Sequence, residues 1–131
     1  MSLSDKFCVN RHKKSFLELV RNKLDVIFAN EQEILELVDA KSFDEVISFG
    51  KQLNKTLIIT RSDKGSVAIN KNQIAECESQ KDLKIVDLTG AGDLFAAGFL
   101  HGYINKMPIQ NSLKKGTEMA SKVIQTIGAR L

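Results

Sequence analysis

Apolar and polar positions change period several times along the chain, and each change marks an expected element. Behind Ser4 and Asp5, which can cap a helix, Phe7, Phe16, Leu17, Leu19 and Val20 form a broken apolar stripe to about Asn22. Leu24 to Ala29 is a short apolar run suited to a buried strand; after Asn30 helical spacing returns through Ile34, Leu35 and Val38. A second helix over 43–53 precedes Thr56-Leu57-Ile58-Ile59-Thr60, a β-branched run fit for a strand covered on both faces. Strand, helix and strand in that order predict a parallel pair. Ser66 to Ile69 and Gln73 to Ala75 flank Asn70-Lys71-Asn72 as a hairpin, and Ile85-Val86 is a last short strand.

From Gly92 to about Asn105, the residues Leu94, Phe95, Ala97, Gly98, Phe99 and Gly102 fit a helix whose glycines allow close packing. Pro108 interrupts the pattern, and a final helix over 109–126 carries Leu113, Met119, Ala120, Val123 and Ile124 as its buried stripe.

Length and composition narrow the class. A chain of 131 residues with 43% hydrophobic content suits one α/β domain over 1–131, and no repeat or long linker divides it. The 19 basic residues exceed the 16 acidic ones by only +3 and are scattered, so no nucleic-acid partner is expected. The densest basic cluster, Arg11-His12-Lys13-Lys14, fits a solvated helix face. Cys8 and Cys77 are far apart, and His12 and His101 have no ligand spacing, so neither a disulfide framework nor a zinc site is expected and the compartment reads as reducing cytoplasm. No apolar run approaches the roughly 18 residues of a membrane span, and no secretory signal is evident, so no membrane partner is expected. Met1-Ser2-Leu3 fits an added expression start.

Candidate chemistry centres on Gly90-Ala91-Gly92-Asp93, between a short strand and a helix. Backbone N–H groups there converge at the positive end of a helix, an anion site, and small residues let phosphate oxygens approach. An aspartate beside such a cradle would repel phosphate if the loop only held it. As a base it makes sense, because the carboxylate that takes the proton of an attacking hydroxyl must stand next to the phosphate cradle. The same pattern also fits a tight turn in which Asp93 caps the helix. The chain has no GxxxxGK[ST], and Phe95 stands where GxGxxG needs its third glycine, which disfavours a dinucleotide site.

Asp87-Leu88-Thr89-Gly90-Ala91-Gly92-Asp93-Leu94-Phe95-Ala96-Ala97-Gly98-Phe99 resembles the C-terminal signature of the ribokinase or PfkB carbohydrate kinase family, and the opening Ser4 to Val9 is similar to its adenosine-kinase-like members. The resemblance implies a ribokinase-like three-layer α/β/α fold with a mostly parallel sheet. It implies that Asp93 is the general base and that the backbone of Gly90, Ala91 and Gly92 stabilises the transferring phosphoryl group. It also implies a monovalent cation such as potassium at Asp87 and Thr89, although Leu88 departs from the frequent threonine.

Two further motifs have a double reading. Asn30-Glu31-Gln32-Glu33 is a capping box by itself, and it also matches the family's NxxE motif, which organises Mg2+ through water and the nucleotide phosphates. Thr60-Arg61-Ser62-Asp63-Lys64-Gly65 follows a buried strand, where open α/β sheets place ligands. It resembles the family's nucleotide-contacting turn, with Ser62 in place of the commoner glycine and Arg61 or Lys64 able to offset phosphate charge; it is also a plain strand-to-hairpin turn. His101 has no acidic partner in the pattern and is expected to be non-catalytic, while Phe95 and Phe99 are expected in the core.

The resemblance implies an ATP-dependent kinase acting on a sugar or nucleoside hydroxyl, of which this chain is the C-terminal ATP-binding half. The acceptor-binding residues and the lid belong to the family's N-terminal half, so the 131 residues alone are expected to turn over little and to self-associate. The rivals are a non-catalytic regulatory nucleotide-binding domain and a dinucleotide-binding module.

Overall fold

The computed structural model describes residues 13–22, 25–61, 64–71, 73–79 and 91–123. They form α1 (Lys13–Asn22), β1 (Val26–Asn30), α2 (Glu31–Leu37), α3 (Phe43–Leu53), β2 (Thr56–Thr60), β3 (Ser66–Asn70), β4 (Gln73–Cys77), α4 (Ala91–Ile104) and α5 (Ile109–Val123). The helix start expected at Ser4, the strand at Ile85-Val86 and the helical residues past Val123 lie outside the described residues. Elsewhere the expected elements are present, with ends moved by a residue or two.

The strands form one sheet in the order β1-β2-β3-β4. β1 and β2 run parallel, with Val26 opposite Thr56 and Asn30 opposite Thr60. Their starts are tied together: the Thr56 N–H donates to the Asp25 carbonyl at 3.0 Å, and the Lys55 ammonium lies 3.7 Å from the Asp25 carboxylate. Two strands of equal length in this register must also end level, which later decides which side chains meet. β3 and β4 are neighbours joined by only two residues, a link that an antiparallel pair alone permits, and Lys71 turns it at φ 56°. The described sheet is therefore mixed, parallel at β1–β2.

By compactness the chain divides into two units, bounded Met1–Ser62 with Val67–Ile74 and Asp63–Ser66 with Ala75–Leu131. In the first, one sheet face contributes Ile27, Ala29, Leu57, Ile59, Val67 and Ile69 to a core completed by Ile34 and Leu37 of α2 and Val46 of α3. Phe28, Ile58 and Ala68 on the opposite face are buried as well, which explains why these strands read as apolar runs rather than alternating ones. α1 joins this unit through Leu17, through Arg21 above the Phe49 ring at 6.0 Å, and through Lys13. Lys13, expected in a solvated basic face, instead lies 2.6 Å from Asp39 and 3.8 Å from Glu36. The hydrogen bond to Asp39 raises its ammonium above the usual lysine range.

α2 ends in a Schellman motif: Asp39 takes φ 53°, its N–H donates to the Glu36 carbonyl, and the Ala40 N–H donates to the Leu35 carbonyl. In the second unit α4 stops the same way. Lys106 at φ 60° donates to Tyr103, and Met107 donates to Gly102.

α4 and α5 pack through very small residues. A Cβ on Gly98 would lie 2.8 Å from the Lys115 carbonyl oxygen and 2.9 Å from the Gly116 Cα, and one on Gly116 would lie 2.7 Å from the Phe95 carbonyl oxygen. The backbones therefore touch, with Phe95, Phe99 and Leu113 buried in the unit. Gly116, Ser112 and Ser121 are buried on α5, while Met119 and Ala120 of the expected stripe are only half-buried. Leu113 of the expected stripe is buried there, and close approach at Gly116 completes that face. The side chains of Val123 and Ile124 lie outside the described residues.

Candidate active site

The level ends of β1 and β2 place the residues that follow Asn30 and Thr60 side by side at the carboxyl edge of the sheet. On β1 the chain turns at once into α2. Asn30 has extended backbone, at φ −85° and ψ 169°, and its side-chain oxygen accepts from the Glu33 N–H at 2.8 Å. The Glu33 carboxylate reciprocates, accepting from the Asn30 N–H at 2.9 Å. The capping-box reading is thus borne out in both directions, and Glu33 is only 5% exposed. Replacing Asn30 with Ala is expected to cost about 1 kcal/mol, read in urea denaturation, because one helix-start N–H loses its acceptor. Asn30→Asp, which keeps the acceptor, is expected to retain most of that stability.

On β2, Arg61 follows Thr60. Its Nε–H donates to Glu31 Oε2 and its Nη2 donates to Glu31 Oε1, each at 3.2 Å. The guanidinium carbon also sits 3.7 Å from the centre of the Phe43 ring, at the first residue of α3. The two charged side chains are 21% and 25% exposed. Arg61, expected to offset phosphate charge or to be solvated, is paired with Glu31. Glu31 and Phe43 were not singled out from sequence. The available signal was a pair of opposite charges directly after two parallel strands, legible only once the register is known.

In the second unit, Gly92 and Asp93 lie in the first turn of α4, and both are exposed. Gly92 has no positive φ, which among the described glycines belongs to Gly65 alone. A Cβ on Gly92 would meet nothing within 4 Å. Neither strain nor packing among the described residues therefore calls for glycine at this position, although glycine costs about 0.5–1 kcal/mol relative to alanine inside a helix. Lys64 is exposed, and Gly65 has φ 90° beside the end of β4. His101 is exposed, while Phe95 and Phe99 are buried as expected, with Phe99 stacked on Tyr103 at 5.9 Å.

Asp87, Thr89, Gly90, Ser62 and Asp63 lie outside the described residues, as does the side chain of Ala91. Asn30, Glu33, Thr60 and Arg61 share one sheet edge, whereas Gly92 and Asp93 belong to the other unit. Among the described residues no group of three His, Cys, Asp or Glu gathers as a metal cluster. Magnesium takes few protein carboxylates and keeps several waters, so the single carboxylate of Glu33 is compatible with a water-mediated role and needs no larger cluster. Among the described residues no helix is long and apolar enough to cross a membrane.

Residues 1–131 match the model of the pfkB family carbohydrate kinases along their whole length. The chain belongs to this family. The pfkB chain is 30% identical over 122 residues to the cytidine kinase of Thermococcus kodakarensis, covering 88% of itself and 42% of that protein. Among solved structures it is similar to the adenosine kinase of Sinorhizobium meliloti, with 39% identity and a TM-score of 0.95 over 100% of this chain and 40% of that one. It is also similar to a probable sugar kinase of Rhizobium etli CFN 42, with 40% identity and a TM-score of 0.94 over 99% of this chain and 40% of that one. The α/β fold of this pfkB chain is thus ribokinase-like. The chain spans about two fifths of the length of these relatives.

Proposed function

We propose that the full protein transfers the γ-phosphoryl group of ATP to a hydroxyl of a sugar or nucleoside, and that residues 1–131 are its C-terminal, nucleotide-side half. The observation that carries this is Gly92-Asp93 in the first turn of α4: an exposed glycine that packing among the described residues does not require, followed by an exposed carboxylate. The backbone at Gly90 to Gly92 holds the phosphates at the positive helix end. Asp93 takes the proton of the acceptor hydroxyl as its oxygen bonds to the γ-phosphorus; the bond from that phosphorus to the β,γ-bridging oxygen breaks, and ADP leaves. Magnesium, when bound, supplies positive charge to the phosphates, and Asn30 and Glu33 are the residues that would orient it through water. Thr60 to Gly65 lies along the nucleotide, and Asp87 and Thr89 hold a monovalent cation such as potassium. The family membership and the kinases it resembles support the reaction class. Their names, cytidine, adenosine and sugar kinases, support an acceptor that is a nucleoside or a sugar.

The test supplies the full-length protein with Mg2+ and ATP labelled in the γ-phosphate, and a panel of nucleosides and monosaccharides. Label is expected to move to at least one acceptor, with ADP formed in equal amount. Tight nucleotide binding without transfer to any acceptor would instead support a regulatory nucleotide-binding domain.

A further inference from the structure

Resting on that kinase reading, we propose that Arg61 is a positioning residue for the magnesium-side turn, acting through Glu31, and that it is not itself a phosphate ligand. Three elements meet at its guanidinium: the end of β2, the first residue of α2 and the first residue of α3. The two contacts to Glu31 are parallel, 3.2 Å each, and use both carboxylate oxygens. This paired geometry fixes the orientation of the carboxylate as well as its distance. Phe43 closes one face of the guanidinium at 3.7 Å, so the plane of the fork is held too. Glu31 is the residue between Asn30 and Gln32, one turn-position from the capping box, so a fixed Glu31 fixes the first turn that presents Glu33.

Charge leads to the same assignment. With Glu31 balanced by Arg61, the pair brings no net positive charge to a phosphate, which a direct phosphate ligand would need to do. Without Arg61, Glu31 would stand as an uncompensated carboxylate beside the turn that receives an anionic nucleotide. The guanidinium therefore both aims the turn and cancels a repulsive charge. Lysine does neither well, since it lacks the fork and the flat face.

The experiment is a double-mutant cycle in the full-length protein with Arg61→Gln, Glu31→Gln and the double variant, plus Arg61→Lys. The primary readout is Mg·ATP affinity by calorimetry at several magnesium concentrations, with kcat and KM measured in parallel. Arg61→Gln is expected to weaken Mg·ATP binding about tenfold, the scale seen when a supporting partner of a metal-site residue is removed, and to leave the KM for the acceptor unchanged. Arg61→Lys is expected to restore little. Because Arg61 acts through Glu31, Glu31→Gln alone is expected to weaken binding to a similar degree, and the double variant is expected to be no weaker than Arg61→Gln. A Glu31→Gln protein that keeps wild-type affinity, or a double variant in which the two losses add, would make Arg61 a direct phosphate ligand and overturn the proposal. So would an Arg61→Gln protein with a lower denaturation midpoint but unchanged affinity. A wild-type protein that binds Mg·ATP without transferring phosphate overturns the kinase reading only, and one that binds none overturns both.

Discussion

Asp93→Asn is expected to lower kcat by about 10²- to 10⁴-fold, the usual contribution of a general base, while Mg·ATP affinity stays within a few fold of wild type. Asparagine has nearly the same shape but cannot accept the acceptor's proton. An acidic residue in a helix's first turn contributes only about 0.3–1 kcal/mol through the helix dipole, and Asp93 is exposed, so the variant is expected to fold. Steady-state kinetics on the transferred label, with urea denaturation in parallel, checks both halves of the expectation. If Asp93 were simply a helix-start residue, stability would fall slightly and turnover would not. Loss of turnover with stability kept is the signature of the base.

The second large effect concerns stability. Gly65→Ala is expected to destabilise the protein by about 3 kcal/mol, combining a positive φ with a steric conflict. Gly65 has φ 90°, and an added Cβ would lie 2.1 Å from the Cys77 carbonyl oxygen and 3.0 Å from the Glu78 Cα. Those neighbours are backbone, so no rotamer change relieves the contact. The turn between β2 and β3 would have to lift off the end of β4. Thermal and urea unfolding of the variant checks the magnitude, and a midpoint equal to wild type would contradict it. The same turn carries Thr60 and Arg61 at its start, so nucleotide affinity is expected to fall together with stability, in contrast to Asp93→Asn.

Much of the fold was legible because the apolar runs are unambiguous. Thr56 to Thr60, flanked by helices with clear stripes, has one sensible place in an α/β protein, and α3 and β2 begin and end where the spacing put them. What sequence left hidden depends on register and close approach. The Glu31–Arg61 pair joins residues thirty apart, and nothing local marks it until β1 and β2 are seen to end level. Hydrophobic spacing on α5 finds the buried Leu113 but also points to Met119 and Ala120, which are only half-buried. The helix's deepest contact instead falls at Gly116, where the absence of a side chain lets two backbones meet. Of the candidate site, the capping box and the position of Gly92-Asp93 at a helix start were legible from residue type alone. Arg61 could be named but not given its role, because an arginine after a strand is equally suited to a phosphate, to solvent or to a carboxylate.

The contact of Gly98 with Gly116 has a mechanical consequence. Helices held apart by long side chains can roll or slide as rotamers change, but two backbones in contact, with Phe95 against Gly116 on the near side, have no such play. α4 is in effect clamped to α5 within two turns of Asp93. On the proposed kinase reading, Asp93 stands on a helix pair with little freedom to shift, so the substrate is brought to the carboxylate rather than the carboxylate to the substrate.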